Sequence, residues 1–189
     1  MPTVVFDFDK TLTKRDTVMG FLLMATDKRL VLFRRLIFVF FAVLHKLKLI
    51  SNDQLKRSGI KLFLKGISQE MIRERALKYA GGISLNEVYQ TQFISKYPQA
   101  IIATASYEDY VRPIFRDNLI LAARLGYENG RVSGLSQNAY AAQKVDLLNL
   151  HGIKQVDIFY TDSFSDQAVM NISTTVYLVK KNNIKKIKG

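Results

Sequence analysis

Five short runs of apolar and β-branched residues constrain the fold of this chain most strongly. They cover residues 3–8, 100–105, 119–123, 156–161 and 174–179. Several are continuously apolar rather than alternating, which is typical of strands that are covered on both faces of a parallel sheet. Helix-compatible segments lie between the later runs, at residues 107–116, 139–151 and 164–171. This alternation predicts an α/β fold built on a doubly wound parallel sheet.

The first two runs are separated by roughly ninety residues that read as helical almost throughout. A crossover between parallel strands needs only about a dozen residues, so this gap indicates an inserted unit. We predict a helical domain over residues 14–92, placed beside a core domain formed by residues 1–13 and 93–189. A chain of 189 residues fits one domain with an insertion of this size.

Most of the positive charge lies in the same insertion. Residues 14–78 contain 15 Lys and Arg against 5 Asp and Glu, a net charge of +10 out of +12 for the chain. This concentration indicates either an anionic partner, such as a phosphate ester, acidic lipid or nucleic acid, or a solvated surface. The sequence lacks an aromatic and basic motif for single strands, which argues against nucleic acid. The basic tail, residues 180–188, is expected to be solvated.

Residues 30–50 (LVLFRRLIFVFFAVLHKLKLI) form the most apolar part of the insertion. Their longest uncharged run, residues 36–44, is far shorter than the ~18 apolar residues of a membrane-spanning helix. Basic pairs flank this run at residues 34–35 and 45–46, about three helical turns apart. We expect a helix that is buried in the helical domain, pressed against a partner or seated in a membrane interface.

The first run ends in two neighbouring carboxylates, Asp7 and Asp9, in the stretch DFDKT. Residues two apart on a strand share a face, and both would lie at the carboxyl end, where open α/β sheets bind their ligands. Two carboxylates this close repel each other, and neither is easily buried without a partner. A cation or a surface turn would resolve the conflict.

Acidic residues also end the fourth run, where the strand leads into the stretch TDSFSD. Asp162 and Asp166 are four residues apart, so they come together if the strand turns quickly into a helix. Together with the first pair they form a set of oxygen ligands without His or Cys, which favours a hard cation, Mg²⁺ by default.

Two kinds of hydrogen-bond donor lie between these acidic stretches. The second run ends in IIATAS, which places the hydroxyls of Thr104 and Ser106 near the same sheet edge. Lys144 begins a helix-compatible run before the fourth strand. A cation, a lysine and a hydroxyl around a carboxylate make a site for phosphoryl transfer, whose catalysis consists largely of positioning and charge neutralisation.

In this order, the four segments resemble the motifs of the haloacid dehalogenase-like (HAD) superfamily of aspartate-nucleophile phosphatases. DFDKT is similar to its first motif, IIATAS to its second, Lys144 to its third and TDSFSD to its fourth. The helical insertion resembles the C1-capped, phosphoserine-phosphatase-like branch, subfamily IB. The resemblance implies a Rossmann-like HAD core with a helical cap, and a phosphatase that hydrolyses a phosphomonoester through an aspartyl-phosphate.

The resemblance also implies the catalytic roles. Asp7 would attack phosphorus, and Asp9 would protonate the leaving oxygen and then deprotonate the hydrolytic water. Thr104 and Lys144 would bind the phosphoryl oxygens. Lys144 is assigned from its spacing before the fourth strand, and Lys154, which is nearer to that strand, is the competing candidate.

The same resemblance implies the metal ligands. Asp162 would hold Mg²⁺ together with Asp7 and the carbonyl oxygen of Asp9, while Asp166 would support the metal or orient the lysine. The fourth motif usually begins with glycine, whereas Thr161 stands at that position here. This departure would alter the loop without removing a ligand.

Substrate choice in capped enzymes of this kind rests with the insertion and the residues around it. Thr11, Asp16 and Ser106 are the candidate substrate-binding residues. Asp16 stands where serine-specific relatives carry a glutamate, which argues against strict phosphoserine specificity. The basic insertion with its apolar segment resembles the phosphatidylglycerophosphatase C-like subgroup, which implies a lipid phosphate or another amphiphilic phosphate as substrate.

Two alternatives stay open: an enzyme acting on a small soluble metabolite, and a binding module that kept the HAD core without catalysis. The sequence runs directly into its first strand and contains no cysteine, so we expect neither a cleavable signal peptide nor disulfides. We therefore expect a cytoplasmic protein, at most peripheral to the inner face of a membrane. The sequence does not specify an oligomeric state.

Overall fold

The computed structural model describes residues 2–26 and 31–189. Within these ranges, seven strands form one sheet in the order β4-β3-β2-β1-β5-β6-β7. The strands are β1 Val4–Phe6, β2 Ile101–Tyr107, β3 Ile120–Glu128, β4 Arg131–Gln137, β5 Val156–Thr161, β6 Ser173–Lys180 and β7 Asn183–Lys188. The helices are α1 Val18–Ala25, α2 Val31–Lys46, α3 Asn52–Phe63, α4 Gln69–Gly81, α5 Glu108–Val111, α6 Ala142–Leu150 and α7 Gln167–Asn171.

The middle of the sheet is parallel, and β1 lies at its centre between β2 and β5. All three residues of β1 are buried. Val4 and Phe6 belong to one apolar cluster and Val5 to a second, because successive side chains of a strand point to opposite faces. The predicted doubly wound α/β fold is confirmed, and the continuous apolar runs reflect burial on both faces.

The two edge strands, β4 and β7, are antiparallel to their neighbours. Residues 180–188 are mostly exposed, as predicted for a solvated basic end, but most of this segment is β7, paired with β6. The β3 strand continues beyond the predicted run and turns back as β4. Asn129 and Gly130 form the turn with φ angles of 49° and 70°, as in a hairpin turn with two left-handed residues.

The helical segment predicted over residues 107–116 is shorter than expected. Tyr107 still belongs to β2, and α5 covers one turn only, Glu108–Val111. Arg112 still has helical angles, but Pro113 has no amide N–H with which to continue the helical hydrogen bonds.

Four helices, α1 to α4, occupy the long connection between β1 and β2. The chain leaves the core and returns at one place, where Thr13 and Leu85 form an isolated bridge. A π-helical segment, Tyr89–Ile94, follows this return. Its Phe93 packs edge-on against Phe6 of β1, with the ring centroids 5.7 Å apart. The domain limit at residue 92 stays a prediction.

The helices α1 to α4 and their connecting loops, called the helical unit below, pack on the β3–β4 hairpin. The amide of Gly66 donates to the carbonyl of Val132, and the amide of Gln69 donates to the carbonyl of Gly130, both at 2.9 Å. Phe21 of α1 also packs against Tyr110, with ring centroids 4.8 Å apart. These contacts fix the first helices over the carboxyl edge of the sheet.

The apolar segment at residues 30–50 is helical over α2, and its first residue, Leu30, lies outside the described residues. Phe38 on the inner face of α2 packs against Phe63 of α3, with ring centroids 5.7 Å apart. Gly59 permits this approach, because a Cβ atom there would lie 3.0 Å from Phe38. The opposite face of α2 is exposed. Among the described helices, none is long and apolar enough to cross a membrane.

Candidate active site

The predicted site residues converge at the carboxyl edge of the sheet, around a cavity of about 280 Å³. The cavity lies beside β1, where the chain order of the strands reverses, the place where open α/β sheets bind ligands. Its lining includes seven of the predicted residues: Asp7, Asp9, Asp16, Thr104, Lys144, Asp162 and Asp166. The helical unit contributes Val18, Asn52 and Lys56 to the same wall.

Lys144 is the centre of the charged cluster. It lies in the first turn of α6, is buried, and its Nζ donates to Asp7 Oδ1 at 2.8 Å and to Asp166 Oδ2 at 2.9 Å. Burial alone would lower the pKa of Lys144, but the two carboxylates outweigh it and raise that pKa. Lys154 is exposed and precedes the amino end of β5, at the other edge of the sheet.

Asp7 directly follows β1, and its amide still donates to the carbonyl of Tyr160 in β5 at 2.9 Å. Burial raises the pKa of the Asp7 carboxyl, and the ammonium of Lys144 opposes that rise. Thr11 Oγ1 lies 3.3 Å from Asp7 Oδ2 and donates to it. The hydroxyl of Thr11, predicted to bind substrate, therefore contacts the Asp7 carboxylate in this structure.

The carboxylate of Asp9 is held by hydroxyl donors from the helical unit and from the core. Its Oδ1 accepts from the amide and the hydroxyl of Thr17, at 2.9 and 2.6 Å, and its Oδ2 accepts from Ser106 Oγ at 2.6 Å. Burial raises the pKa of Asp9 to about 6, although these hydrogen bonds lower it. Ser106 is thus placed against Asp9, and it is fully buried.

Thr104 and Asp16 lie on the cavity wall with different exposure. Thr104 is buried in β2, and its Oγ1 accepts from the amide of Ser106 at 3.0 Å. Asp16 is exposed at the start of α1, where its Oδ1 accepts from the amide of Val18 at 3.2 Å. Both positions allow contact with a molecule in the cavity.

Thr161, which stands where relatives usually carry glycine, contacts the fourth motif. Its Oγ1 donates to Asp166 Oδ2 at 2.8 Å, and the amide of Ser163 donates back to Thr161 Oγ1 at 3.2 Å. Asp166 is therefore held by both a hydroxyl and Lys144. Asp162 is half-buried on the cavity wall, and burial raises its pKa.

Lys56 of α3 is a cavity residue that the sequence reasoning missed. Its Nζ donates to the carbonyl of Ala105 and to Asn138 Oδ1, both at 2.6 Å, and burial lowers its pKa to about 8. Lys56 shares the buried face of its helix with Ile60 and Phe63. That spacing of four and seven residues is the signal that could have indicated an inward-facing lysine.

The donor set of the cavity fits a hard divalent cation. Within residues 2–26 and 31–189, no three His, Cys, Asp or Glu side chains form a ready-made metal cluster, because Lys144 separates Asp7 from Asp166. The ligand set implied by the resemblance to the HAD superfamily, Asp7, Asp162 and the carbonyl of Asp9, needs only two carboxylates. Oxygen donors of this kind suit Mg²⁺, and a cation would favour the ionised form of the buried Asp7 carboxyl.

The chain belongs to the haloacid dehalogenase-like hydrolase family, whose model matches residues 4–171. The predicted HAD family and the prediction of a hydrolase are therefore confirmed. Hydrolases of this family generally use a divalent metal ion. No curated protein has a detectably similar sequence.

Solved structures share the fold at low sequence identity. A protein of unknown function from Bordetella pertussis Tohama I has a TM-score of 0.71 and 18% identity, over 89% of this chain and 85% of that one. A phosphoserine phosphohydrolase-like protein from Francisella tularensis has a TM-score of 0.65 and 18% identity, over 93% and 86%. A substrate-bound phosphoserine phosphatase has a TM-score of 0.62 and 14% identity, over 93% and 84%.

Proposed function

We propose that this protein is a phosphatase that hydrolyses a phosphomonoester through an aspartyl-phosphate on Asp7. The observation that carries this proposal is the buried Lys144, which pairs with Asp7 and Asp166 beside a cavity. Buried charges of this kind are costly to maintain for stability alone. Such charges concentrate at functional sites.

In the first step, a carboxylate oxygen of Asp7 attacks phosphorus while the bond between phosphorus and the ester oxygen breaks. Asp9 gives its proton to the departing oxygen; its raised pKa supports a proton-carrying role. Lys144 and Thr104 bind the oxygens of the transferring group, which places positive charge and a donor where negative charge develops.

In the second step, water attacks the aspartyl-phosphate and Asp9 accepts its proton. Inorganic phosphate leaves, and the carboxylate of Asp7 is restored, so that each turnover consumes one water molecule. The hydrogen bonds from Thr17 and Ser106 fix Asp9 for both transfers.

We propose Mg²⁺ as the divalent ion, held by Asp7, Asp162 and the carbonyl oxygen of Asp9. The ion would supply positive charge that neutralises the phosphate and keeps the nucleophile ionised. Asp166, which contacts Lys144 and Thr161, would orient the lysine. The helical unit would act as a C1-type cap over this site.

The substrate that we propose is a lipid phosphate or another amphiphilic phosphate, met at a membrane surface to which the protein is peripheral. The basic insertion supports an anionic partner. Lys56 adds a cation to the cavity wall beside the phosphoryl-binding residues. A small soluble phosphomonoester is the alternative substrate, because a phosphoserine phosphatase has a similar fold.

Hydrolysis of p-nitrophenyl phosphate tests the proposed chemistry. We expect hydrolysis that depends on Mg²⁺ and is lost in EDTA. The substitution Asp7→Asn should reduce kcat at least ~10³-fold, because an amide cannot form the covalent intermediate. The matched control is Asp117→Asn, an exposed aspartate away from the cavity, which should leave kcat unchanged.

Equal activity of wild type and Asp7→Asn would contradict the assignment of Asp7 as the nucleophile. An absence of activity in wild type and in both variants would favour a binding module without catalysis. A panel of phosphomonoesters then decides the substrate class. The lipid hypothesis predicts that kcat/KM for a lysophospholipid phosphate exceeds that for phosphoserine. The reverse order would support a soluble metabolite.

A further inference from the structure

The outer face of α2 is a continuous row of exposed apolar side chains. Leu32, Leu36 and Phe40 are 74%, 63% and 60% exposed, and the row continues through Val43 and Leu47. These residues recur every three or four positions, so they lie along one side of the helix. Contiguous apolar surface of this extent on a soluble domain marks an interaction site.

The orientation of this apolar row is fixed by packing on the other side of the helix. Phe38 lies on the inner face against Phe63 and Gly59 of α3. Arg34, also on the inner side, donates to Thr26 Oγ1 at 3.3 Å. The helix therefore presents its apolar row outward as a ridge on the surface of the helical unit.

Cations border the ridge along one side and at its end. Arg35 and Lys46 are both exposed and are eleven residues apart, which is about three helical turns, so they project in similar directions. Lys48 is exposed just beyond the helix. Long basic side chains at the border of an apolar face can reach the phosphates of lipid headgroups while the apolar residues enter the acyl boundary.

The charge of the segment around the ridge favours an anionic lipid surface over a second copy of this chain as its partner. Residues 31–50 contain four Lys and Arg and no Asp or Glu. A symmetric dimer through this ridge would bring the same cations towards each other, and like charges across an interface are unfavourable. An anionic bilayer supplies both an apolar interior and the opposite charge.

The ridge leads towards the active-site cavity. Leu49, 67% exposed, follows the helix, and Asn52, three residues later, lines the cavity. Three residues of chain span at most ~11 Å. A lipid phosphate held at headgroup level beside the ridge would thus have a short route to the cavity.

We propose that the apolar ridge of α2 docks on the surface of a bilayer that contains anionic phospholipid, with α2 lying along the interface. The inference rests on the proposed function, because the docking would serve to bring a lipid phosphate to the cavity. Its test measures vesicle binding, which does not require hydrolysis, so the two proposals fail separately.

Co-sedimentation with vesicles tests the docking surface. We expect the protein to sediment with vesicles of phosphatidylglycerol and phosphatidylcholine, and much less with phosphatidylcholine alone. The substitution Phe40→Asp should weaken binding at least ~10-fold, because it places a charge in the apolar face. Arg35→Gln should weaken binding about fivefold, with a smaller effect in high salt.

The matched control is Leu77→Asp, which changes an exposed leucine of α4 in the same helical unit. It should bind vesicles like wild type, and all variants should hydrolyse p-nitrophenyl phosphate equally. Equal vesicle binding by wild type and Phe40→Asp would overturn the assignment of the ridge as the docking surface. Equal binding of wild type to anionic and neutral vesicles would overturn the proposed preference for anionic phospholipid. A dimer in sedimentation velocity that Phe40→Asp dissociates, without vesicle binding, would assign the ridge to a second copy.

Discussion

At the residue scale, Lys144 sets the charge balance of the candidate site. Its ammonium lies between two buried carboxylates, of Asp7 and Asp166, so each of the three charges depends on the others. Removing one member of a buried ion pair costs more than the pair contributes, because the remaining charge is left without a partner. In Lys144→Met, Asp7 and Asp166 would face each other across an apolar side chain.

We expect Lys144→Met, without added metal, to lower the free energy of unfolding by about 3–5 kcal/mol and to reduce phosphatase activity at least ~10²-fold. Urea unfolding followed by circular dichroism and steady-state kinetics measure the two effects. Lys154→Met is the control: its side chain is exposed, so its unfolding free energy should stay within about 0.5 kcal/mol of wild type. If Lys154→Met is the damaging variant, the assignment of the lysine is wrong.

The sequence predicts those site residues that directly follow a strand, because the carboxyl ends of parallel strands meet at one edge. Asp7 and Asp162 are of this kind. The contacts of Thr11 and Ser106 with carboxylates could not be predicted, since they depend on side-chain directions in the turns. Lys56 was missed because it enters the cavity from a helix of the insertion, and its position depends on how that helix packs on the core.

At the element scale, the five strands found from the sequence are the internal strands of the sheet, each with a neighbouring strand on both sides. The edge strands β4 and β7 carry alternating or mostly polar residues, since one side of an edge strand meets water. The Asn129-Gly130 turn was the available signal for β4. The length of the gap between the first two strands predicted the helical unit. Its packing on the β3–β4 hairpin could not be predicted, because β4 was not recognised in the sequence.

Helix α3 positions Lys56 and begins with a capping box. Ser51 Oγ accepts from the amide of Gln54 at 3.1 Å, and Gln54 Oε1 accepts from the amide of Ser51 at 2.8 Å. We expect Ser51→Ala to lower the free energy of unfolding by about 1 kcal/mol, as measured in urea. Ser51→Gly should lose only a few tenths of a kcal/mol, since glycine is tolerated at this position. Ser51→Asn keeps a side-chain acceptor and should stay close to wild type, so a loss equal to that of Ser51→Ala would mean that the cap hydrogen bond is not the cause.

At the scale of the whole molecule, the cavity of the candidate active site lies between two parts of the chain. Asp7 and Lys144 come from the sheet and its helices, while Asn52 and Lys56 come from the helical unit. Asp9 joins them, because its carboxylate is bound both by Thr17, at the start of the helical unit, and by the core. A ligand in this cavity therefore contacts both parts and stabilises their association.

Metal binding should consequently raise the stability of the whole chain. At a free Mg²⁺ concentration of 100 times Kd, a ligand that binds only the folded state contributes about 2.7 kcal/mol. For a chain of this size that corresponds to an increase in Tm of about 5–10 °C, which differential scanning calorimetry can measure without any substrate. Asp162→Asn should lose most of the increase because it removes a proposed ligand, whereas the exposed Asp117→Asn should keep it. The same increase in Asp162→Asn as in wild type would place the ion elsewhere.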